Sequence, residues 1–146
     1  MGLEGLWWWD NPKTFSVKDA PPREEWNWKS MIRQPDFIGI SILEEVRSEV
    51  FKKKGLKVVN DVKWELFDEG LSVQILHLGP YSEEEKSITK LNDFIKEQGY
   101  KHRGHHHEIY LNDPKRTTPE KIKTIIIPEI INQILSFAFF TQNCIF

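Results

Sequence analysis

Three consecutive histidines run into a glutamate in the stretch RGHHHEIYLNDP, and these residue types can bind a metal or move a proton. A helical HExxH zinc motif would need a histidine three residues after Glu108, where Leu111 stands. As a strand, the stretch directs His105 and His107 to one face and His106 and Glu108 to the other. His105 and His107 could share a metal from one face, but no cysteine is near and no third ligand is evident. We therefore predict that neither a metal nor another cofactor is bound here.

Glu108 offers a different chemistry from the histidines. It precedes Ile109 and Tyr110 on a strand that should be half-buried, where a carboxylate must be exposed, paired or reserved for a ligand. A carboxylate beside aromatic rings suits an organic cation, which it attracts together with the ring faces. It can also act as a general base on water if burial raises its proton affinity. The simpler alternatives are an exposed glutamate and a solvated edge at His105 and His106.

Tryptophan is concentrated near the beginning of the chain. A small core needs one or two, so this excess marks either a structural anomaly or a binding surface. On a strand, Trp7 and Trp9 share a face and Trp8 takes the other, and the pattern leaves open which of them meet a ligand. The chain has six tryptophans, and five of them lie in the first 28 residues: Trp7, Trp8, Trp9, Trp26 and Trp28.

Length and charge limit the class of protein. With 146 residues the chain is long enough for one domain with a real core. Its net charge of -2 provides no basic field for nucleic acid, and no segment has the length and apolarity of a comfortable membrane span. The single cysteine, Cys144, excludes an internal disulfide, and no signal peptide is evident. These features favour a cytoplasmic protein that binds neither nucleic acid nor membrane.

Periodicity predicts an α+β domain with antiparallel pairing. We expect strands over 3–10 and 26–33, and a helix over 36–54 that ends at Gly55 and buries Ile40, Leu43, Val46 and Val50. A hairpin follows, with strands over 62–67 and 71–77. Ser82 and Glu85 form a capping box for a helix that ends at Gly99, and two more strands lie over 105–111 and 121–129. The apolar stripe of this second helix is Ile88, Leu91, Phe94 and Ile95.

The last segment, residues 129–146, has an atypical composition. From Ile130 onward it contains no charged side chain and is rich in isoleucine and phenylalanine, with several polar residues between them. It is either a final packed element or a sequence that the rest of the fold has not shaped.

Several short motifs together resemble the GyrI-like small-molecule-binding domain family. They are VQILHLGPY at 73–81, GYKHRG at 99–104, HHEIYL at 106–111 and PEKIKTII at 119–126. LEGLWWWD, WNWK and MIRQPDF in the first part of the chain resemble a stand-alone, tryptophan-rich branch of the family. The resemblance covers roughly 3–128 and implies two pseudo-symmetric strand–helix–strand–strand units that enclose a groove.

The resemblance also implies residue roles. Glu108 would be the pocket carboxylate that meets ligands. For the tryptophan-rich branch the resemblance further implies hydrolysis of strained, cyclopropane-bearing genotoxic compounds, with Glu108 and Tyr81 as the catalytic candidates. By position, the residues expected to line the groove are Trp7, Trp8, Trp9, Trp26, Trp28, Tyr81, Glu108 and Tyr110.

The chain departs from the family pattern at its ends. The first unit lacks a strand and helix, so we expect a GyrI-like domain over 1–128 with an incomplete first repeat, a complete second repeat and an atypical tail over 129–146. The 36–54 helix, the tail or a second chain in a homodimer would then cover the exposed strip of sheet. Three functions stay open: binding of a hydrophobic or cationic small molecule, hydrolysis at the same glutamate, or no activity in a truncated remnant.

Overall fold

The computed structural model of the chain describes residues 2–10 and 20–132. These residues fall into two compact units. The larger unit comprises the described residues up to Ile32 and those from Glu69 onward, and the smaller unit is Arg33–Asp68. All candidate site residues, from Trp7 to Tyr110, belong to the larger unit.

An antiparallel sheet of five strands dominates the larger unit, and its spatial order is β2-β1-β4-β5-β3. The predicted α+β class with an antiparallel sheet is therefore confirmed. From β3 onward the elements follow in the order strand, helix, strand, strand. The strands are β1 (Leu3–Trp8), β2 (Asn27–Met31), β3 (Ile75–Leu78), β4 (Tyr100–Tyr110) and β5 (Lys123–Asn132); the helices are α1 (Ile40–Lys54) and α2 (Glu85–Glu97).

The core of the larger unit forms where α2 packs on β3 and β4. Ile88, Leu91 and Ile95 are buried on the inner side of α2, as the spacing predicts. The core also includes the ring of Trp9, just after β1. Phe94 was expected in the same stripe but is 48% exposed, because at 3.6 residues per turn it projects to the margin of this face.

The beginning of α2 differs from the prediction. We expected Ser82 to cap the helix, but Tyr81–Glu83 form a 3-10 turn and the N-cap residue is Glu84. No side chain caps the helix there. The backbone carbonyl of Glu84 accepts hydrogen bonds from the N–H groups of Ser87 at 2.8 Å and Ile88 at 2.9 Å. The carboxyl group of Glu84 takes no part in this capping.

The predicted hairpin over 62–77 does not form. Residues 62–70 contain no strand, and the segment after them contributes only an isolated bridge between Ser72 and Glu129 before β3 begins. Side chains of the smaller unit hold this segment and its neighbours in a different arrangement. Arg47 donates to the carbonyl oxygens of Val59 and Val62, and Trp64 Nε1 donates to the carbonyl of Ile38 at 3.0 Å. These tertiary contacts override a local alternation that is typical of strands.

Helix α1 in the smaller unit ends as predicted, but it does not bury its apolar residues. Gly55 adopts the left-handed conformation with φ 65° and donates its N–H to the carbonyl of Phe51. None of the residues of α1 is buried, and Ile40 and Val46 are 61% and 47% exposed. The predicted buried stripe at Ile40, Leu43, Val46 and Val50 is therefore wrong.

The described part of the chain ends with β5. Ile130 to Asn132, which we had assigned to the atypical tail, continue this strand, and Ile130 is 4% exposed. The remainder of the predicted tail, 133–146, lies outside the described residues. No described helix has the length and apolarity that crossing a membrane would require.

Candidate functional site

Strand pairing brings Glu108 next to residues at the beginning of the chain. In the register of β1 and β4, Glu108 is opposite Gly5 and His106 is opposite Trp7. Directly paired residues of an antiparallel sheet point to the same face. We call the face that carries Trp7, His106, Glu108 and Tyr110 the Glu108 face.

Gly5 provides the space that this face requires. A Cβ atom at Gly5 would lie 2.9 Å from Nε1 of Trp7 and 3.0 Å from Oη of Tyr110. Both separations are too short for a carbon atom. The missing side chain therefore allows the Trp7 indole and the Tyr110 phenol to meet above β1.

A chain of hydrogen bonds orients the Glu108 carboxylate. The indole Nε1–H of Trp7 donates to Tyr110 Oη at 3.0 Å, and the Tyr110 hydroxyl bonds to Glu108. From the other side, Nε2 of His106 lies 2.9 Å from Oε1 of Glu108. Because a carboxylate only accepts, His106 carries its proton on Nε2 and donates it. Glu108 thus accepts hydrogen bonds from two side chains of its own strand, and these bonds fix the orientation of its carboxylate.

Burial decides between the alternatives left by the sequence. Glu108 is 9% exposed and His106 is 4% exposed. The exposed-glutamate interpretation is therefore wrong, and so is the expectation that His106 lies on a solvated edge. Burial, and then the charge of Glu108, raise the pKa of the Tyr110 phenol, so that this hydroxyl keeps its proton at neutral pH.

Tyr81 joins this cluster from the turn before α2. Its ring contacts that of Tyr110 edge to face, with 5.8 Å between the ring centroids. Burial raises the pKa of the Tyr81 phenol, and the charges of Glu84, Glu108 and Asp113 raise it further. Tyr81 is 37% exposed, so solvent or a ligand can reach it.

The tryptophans divide between several environments. Trp26 lies between Trp7 and Trp9, with ring centroids 6.3 and 5.2 Å away, and donates to the Pro21 carbonyl at 2.9 Å. Trp9 is buried in the core. Trp28 pairs with Trp7 in the sheet but is 63% exposed.

Trp8 does not join the other candidates. Its ring stacks on His105 at 4.4 Å between centroids, and strand alternation puts it on the face opposite Glu108. The assignment of Trp8 to the Glu108 groove is therefore not supported, because consecutive strand residues cannot share a face.

The opposite face holds a second polar cluster around His107. His107 Nδ1 lies 2.6 Å from Oε2 of Glu69, and Nε2 lies 3.1 Å from Oε2 of Glu4. Both ring nitrogens face carboxylates, so the charged imidazolium satisfies both contacts. Burial opposes that charge, but the hydrogen bonds and charges of Glu69 and Glu4 outweigh burial and raise the pKa of His107. The sequence predicted the face of His107 correctly but did not indicate either partner.

Glu84 is the residue of this site that the sequence did not indicate as a ligand contact. In the sequence it is one of several consecutive acidic residues, 83–85, which are favourable near any helix N-terminus. In the structure it is 6% exposed. Burial, and then the charge of Glu108, raise the pKa of Glu84 to about 8. The Glu108 face therefore has a second carboxyl group beside it.

The described residues include no group of three or more histidine, cysteine, aspartate or glutamate side chains that could hold a metal ion. The three histidines have separate environments: His105 on Trp8, His106 on Glu108 and His107 between two carboxylates.

The sequence matches the family model of the GyrI-like small molecule binding domain over residues 5–129. The chain belongs to the GyrI-like small molecule binding domain family. Glu108, Tyr81, Tyr110 and the tryptophans from Trp7 to Trp28 all lie within the matched range. A search of the curated proteins found no match.

Three solved structures from Listeria innocua share the fold of this GyrI-like chain. One, described as an uncharacterized conserved protein, is 38% identical with a TM-score of 0.79. Two are described as hydrolases, at 35% and 36% identity and a TM-score of 0.75 each. Each match covers 89% of this GyrI-like chain, which spans only 63%, 62% and 63% of the respective structures.

Proposed function

We propose that the Glu108 face binds a planar hydrophobic or cationic small molecule. The family to which the chain belongs consists of small-molecule binding domains. The observation that best supports the proposal is that the Glu108 carboxylate is only 9% exposed and is oriented by hydrogen bonds with Tyr110 and His106. Two hydrogen-bond donors hold this carboxylate in one orientation, and a carboxylate with a fixed orientation is suited to pairing with a cation. The rings of Trp7, Tyr81 and Tyr110 supply apolar surface and ring faces beside that charge.

Ethidium, a planar cation, and phenanthridine, its neutral parent ring system, test this proposal as a matched pair. Binding is measured by calorimetry and by quenching of tryptophan fluorescence. Glu108→Gln keeps the size of the side chain and one acceptor oxygen and removes its charge. We expect it to lower the affinity for ethidium by about tenfold, or about 1.4 kcal/mol, with little change for phenanthridine.

Glu97→Gln is the matched control, because it removes the same charge from the exposed end of α2. We expect this variant to bind both compounds as the unchanged protein does. Equal losses of ethidium binding in Glu97→Gln and Glu108→Gln would point to general electrostatics and contradict a site at Glu108.

Hydrolysis of a strained electrophile is the second candidate function. Two similar solved structures are described as hydrolases, and the same face combines a carboxylate with a phenol that keeps its proton. For a cyclopropane-bearing substrate, Glu108 would take a proton from water as the water oxygen bonds to a ring carbon. The strained C–C bond breaks, and Tyr81 would donate its proton to the atom that receives the electron pair.

A compound with a carbonyl-conjugated cyclopropane tests this second function. The readout is a product that has gained one water, followed by mass spectrometry with Glu108→Gln, Tyr81→Phe and the Glu97→Gln control. We expect turnover in the control and its loss in the other two variants. Binding without turnover in the unchanged protein would contradict hydrolysis of this compound class and leave the binding function intact.

A further inference from the structure

Two buried polar atoms beside the Glu108 face lack hydrogen bonds of regular geometry. Glu84 is 6% exposed and Thr124 is fully buried. Neither Oε1 of Glu84 nor Oγ1 of Thr124 has a partner at regular hydrogen-bonding geometry among the described residues, although the Thr124 hydroxyl lies close enough to Glu84 to favour its charged form. Such groups are rare in folded proteins because burial removes their contact with water. A ligand that brings a donor to Glu84 would satisfy this requirement.

Several charged and titratable side chains surround Glu84. Its charge interacts with those of Glu108 on β4 and Arg23 in the turn before β2. Arg23 is also engaged with the ring of Trp26, with its guanidinium carbon 5.8 Å from the ring centroid. The groups that face Glu84 are thus Arg23, Tyr81, Glu108 and Tyr110, with the Thr124 hydroxyl beneath it.

We propose that Glu84 is a second ligand-binding residue, which gives up a proton and joins Glu108 in holding an organic cation that carries N–H donors. This inference rests on the proposed binding of small molecules at the Glu108 face. The proton leaves Glu84 for solvent, and no other bond is made or broken. The cation supplies positive charge to two carboxylates and an N–H donor to Oε1 of Glu84.

The charge balance of the site explains why the proton is present before binding. Two carboxylates that share a poorly solvated site repel each other, so one of them takes up a proton. Burial, and then the charge of Glu108, raise the pKa of Glu84 to about 8, against the smaller opposing effects of the Thr124 hydroxyl and Arg23. At pH 7 roughly nine-tenths of the molecules therefore carry the Glu84 proton.

Calorimetry with ethidium tests the inference, because ethidium is a cation with exocyclic amino groups. Titrations at pH 7 in phosphate and in Tris, which differ in ionisation enthalpy, give the number of protons released on binding. We expect about 0.9 proton per ethidium in the unchanged protein and none in Glu84→Gln. Affinity for ethidium should rise by about tenfold from pH 7 to a plateau above pH 8, and Glu84→Gln should remove this rise.

The inference and the proposed function can fail separately. If Glu108→Gln weakens ethidium binding but Glu84→Gln leaves proton release and pH dependence unchanged, the role of Glu84 is wrong and the function stands. Infrared titration of the ligand-free protein gives a second readout. We expect a protonated-carboxyl band that disappears as pH rises through about 8 and that is absent in Glu84→Gln. Absence of this band from the unchanged protein, or its presence without any ethidium binding, would overturn the inference.

Discussion

Trp7 and Tyr110 are 103 positions apart in sequence, and the indole Nε1–H of Trp7 donates a 3.0 Å hydrogen bond to the phenol oxygen of Tyr110. This bond joins β1 to the far end of β4 directly above Gly5. Tyr110 in turn bonds to Glu108, so the first strand helps to set the direction of the candidate ligand-binding carboxylate.

Replacement of Trp7 by phenylalanine should weaken both ligand binding and the fold. The variant keeps an aromatic ring but loses the donor to Tyr110, which should cost about 1 kcal/mol of unfolding free energy. Ethidium affinity should fall several-fold, because Tyr110 no longer has a fixed orientation toward Glu108. Urea unfolding and calorimetry measure the two effects. Trp28→Phe is the control, since Trp28 is 63% exposed, and an equal loss of affinity there would contradict the role of the Trp7 bond.

The contacts of His107 with Glu4 and Glu69 should make stability depend on pH. A pKa raised in the folded state means that the folded chain binds the proton more tightly than the unfolded chain. The contribution of this cluster to the free energy of unfolding is therefore fully present below about pH 6.5, and it is lost as pH rises through the raised pKa of His107. Urea unfolding at several pH values should show a stability difference between the unchanged protein and His107→Gln that shrinks as pH rises. A difference that stays constant would contradict this assignment, and His105→Gln serves as the control.

Glu84 should also make stability depend on pH. As with His107, its contribution to the free energy of unfolding should fall as pH rises, but over a different pH range. Its pKa is raised from 4.5 to about 8, so folding takes up a proton between these values. The Glu84 contribution should be most favourable below pH 4.5 and decline up to about pH 8, as charging a buried carboxyl becomes part of the cost of folding. Glu84→Gln should therefore gain stability relative to the unchanged protein as pH rises. Parallel pH profiles of unfolding free energy for the two proteins would contradict this.

Gly104 should be intolerant of a side chain for two separate reasons. It adopts φ 70° at the irregularity in the pairing of β4 with β5, and a Cβ atom there would collide with the carboxylate of Glu129. Gly99 has φ 74° but open space around its Cβ position, so Gly99→Ala isolates the backbone cost, about 1 kcal/mol. Gly104→Ala should cost more, because Glu129 must also move away from Arg103. Equal unfolding free energies for the two variants would show that Glu129 adapts without cost.

Features that depend on local periodicity were predictable from the sequence. The alternation of β4 assigned His107 and Glu108 to opposite faces, and the structure confirms this through their separate partners. The ends of α1 and α2 were predictable at Gly55 and Gly99, because both glycines adopt the positive φ that other residues avoid. Each of these signals comes from residues only a few positions apart.

The partners of these residues depended on the tertiary structure. Alternation at 62–67 predicted a strand, but Arg47 binds the backbone carbonyl of Val62, and the Trp64 side chain is held by the carbonyl of Ile38. Glu84 resembled any other acidic residue at a helix start, and only the packing of α2 on the sheet buries it beside Glu108. Local sequence determines the direction of a side chain along its own strand or helix. Long-range pairing determines what it meets, because burial and charge interactions depend on segments that lie up to about a hundred residues apart in the chain.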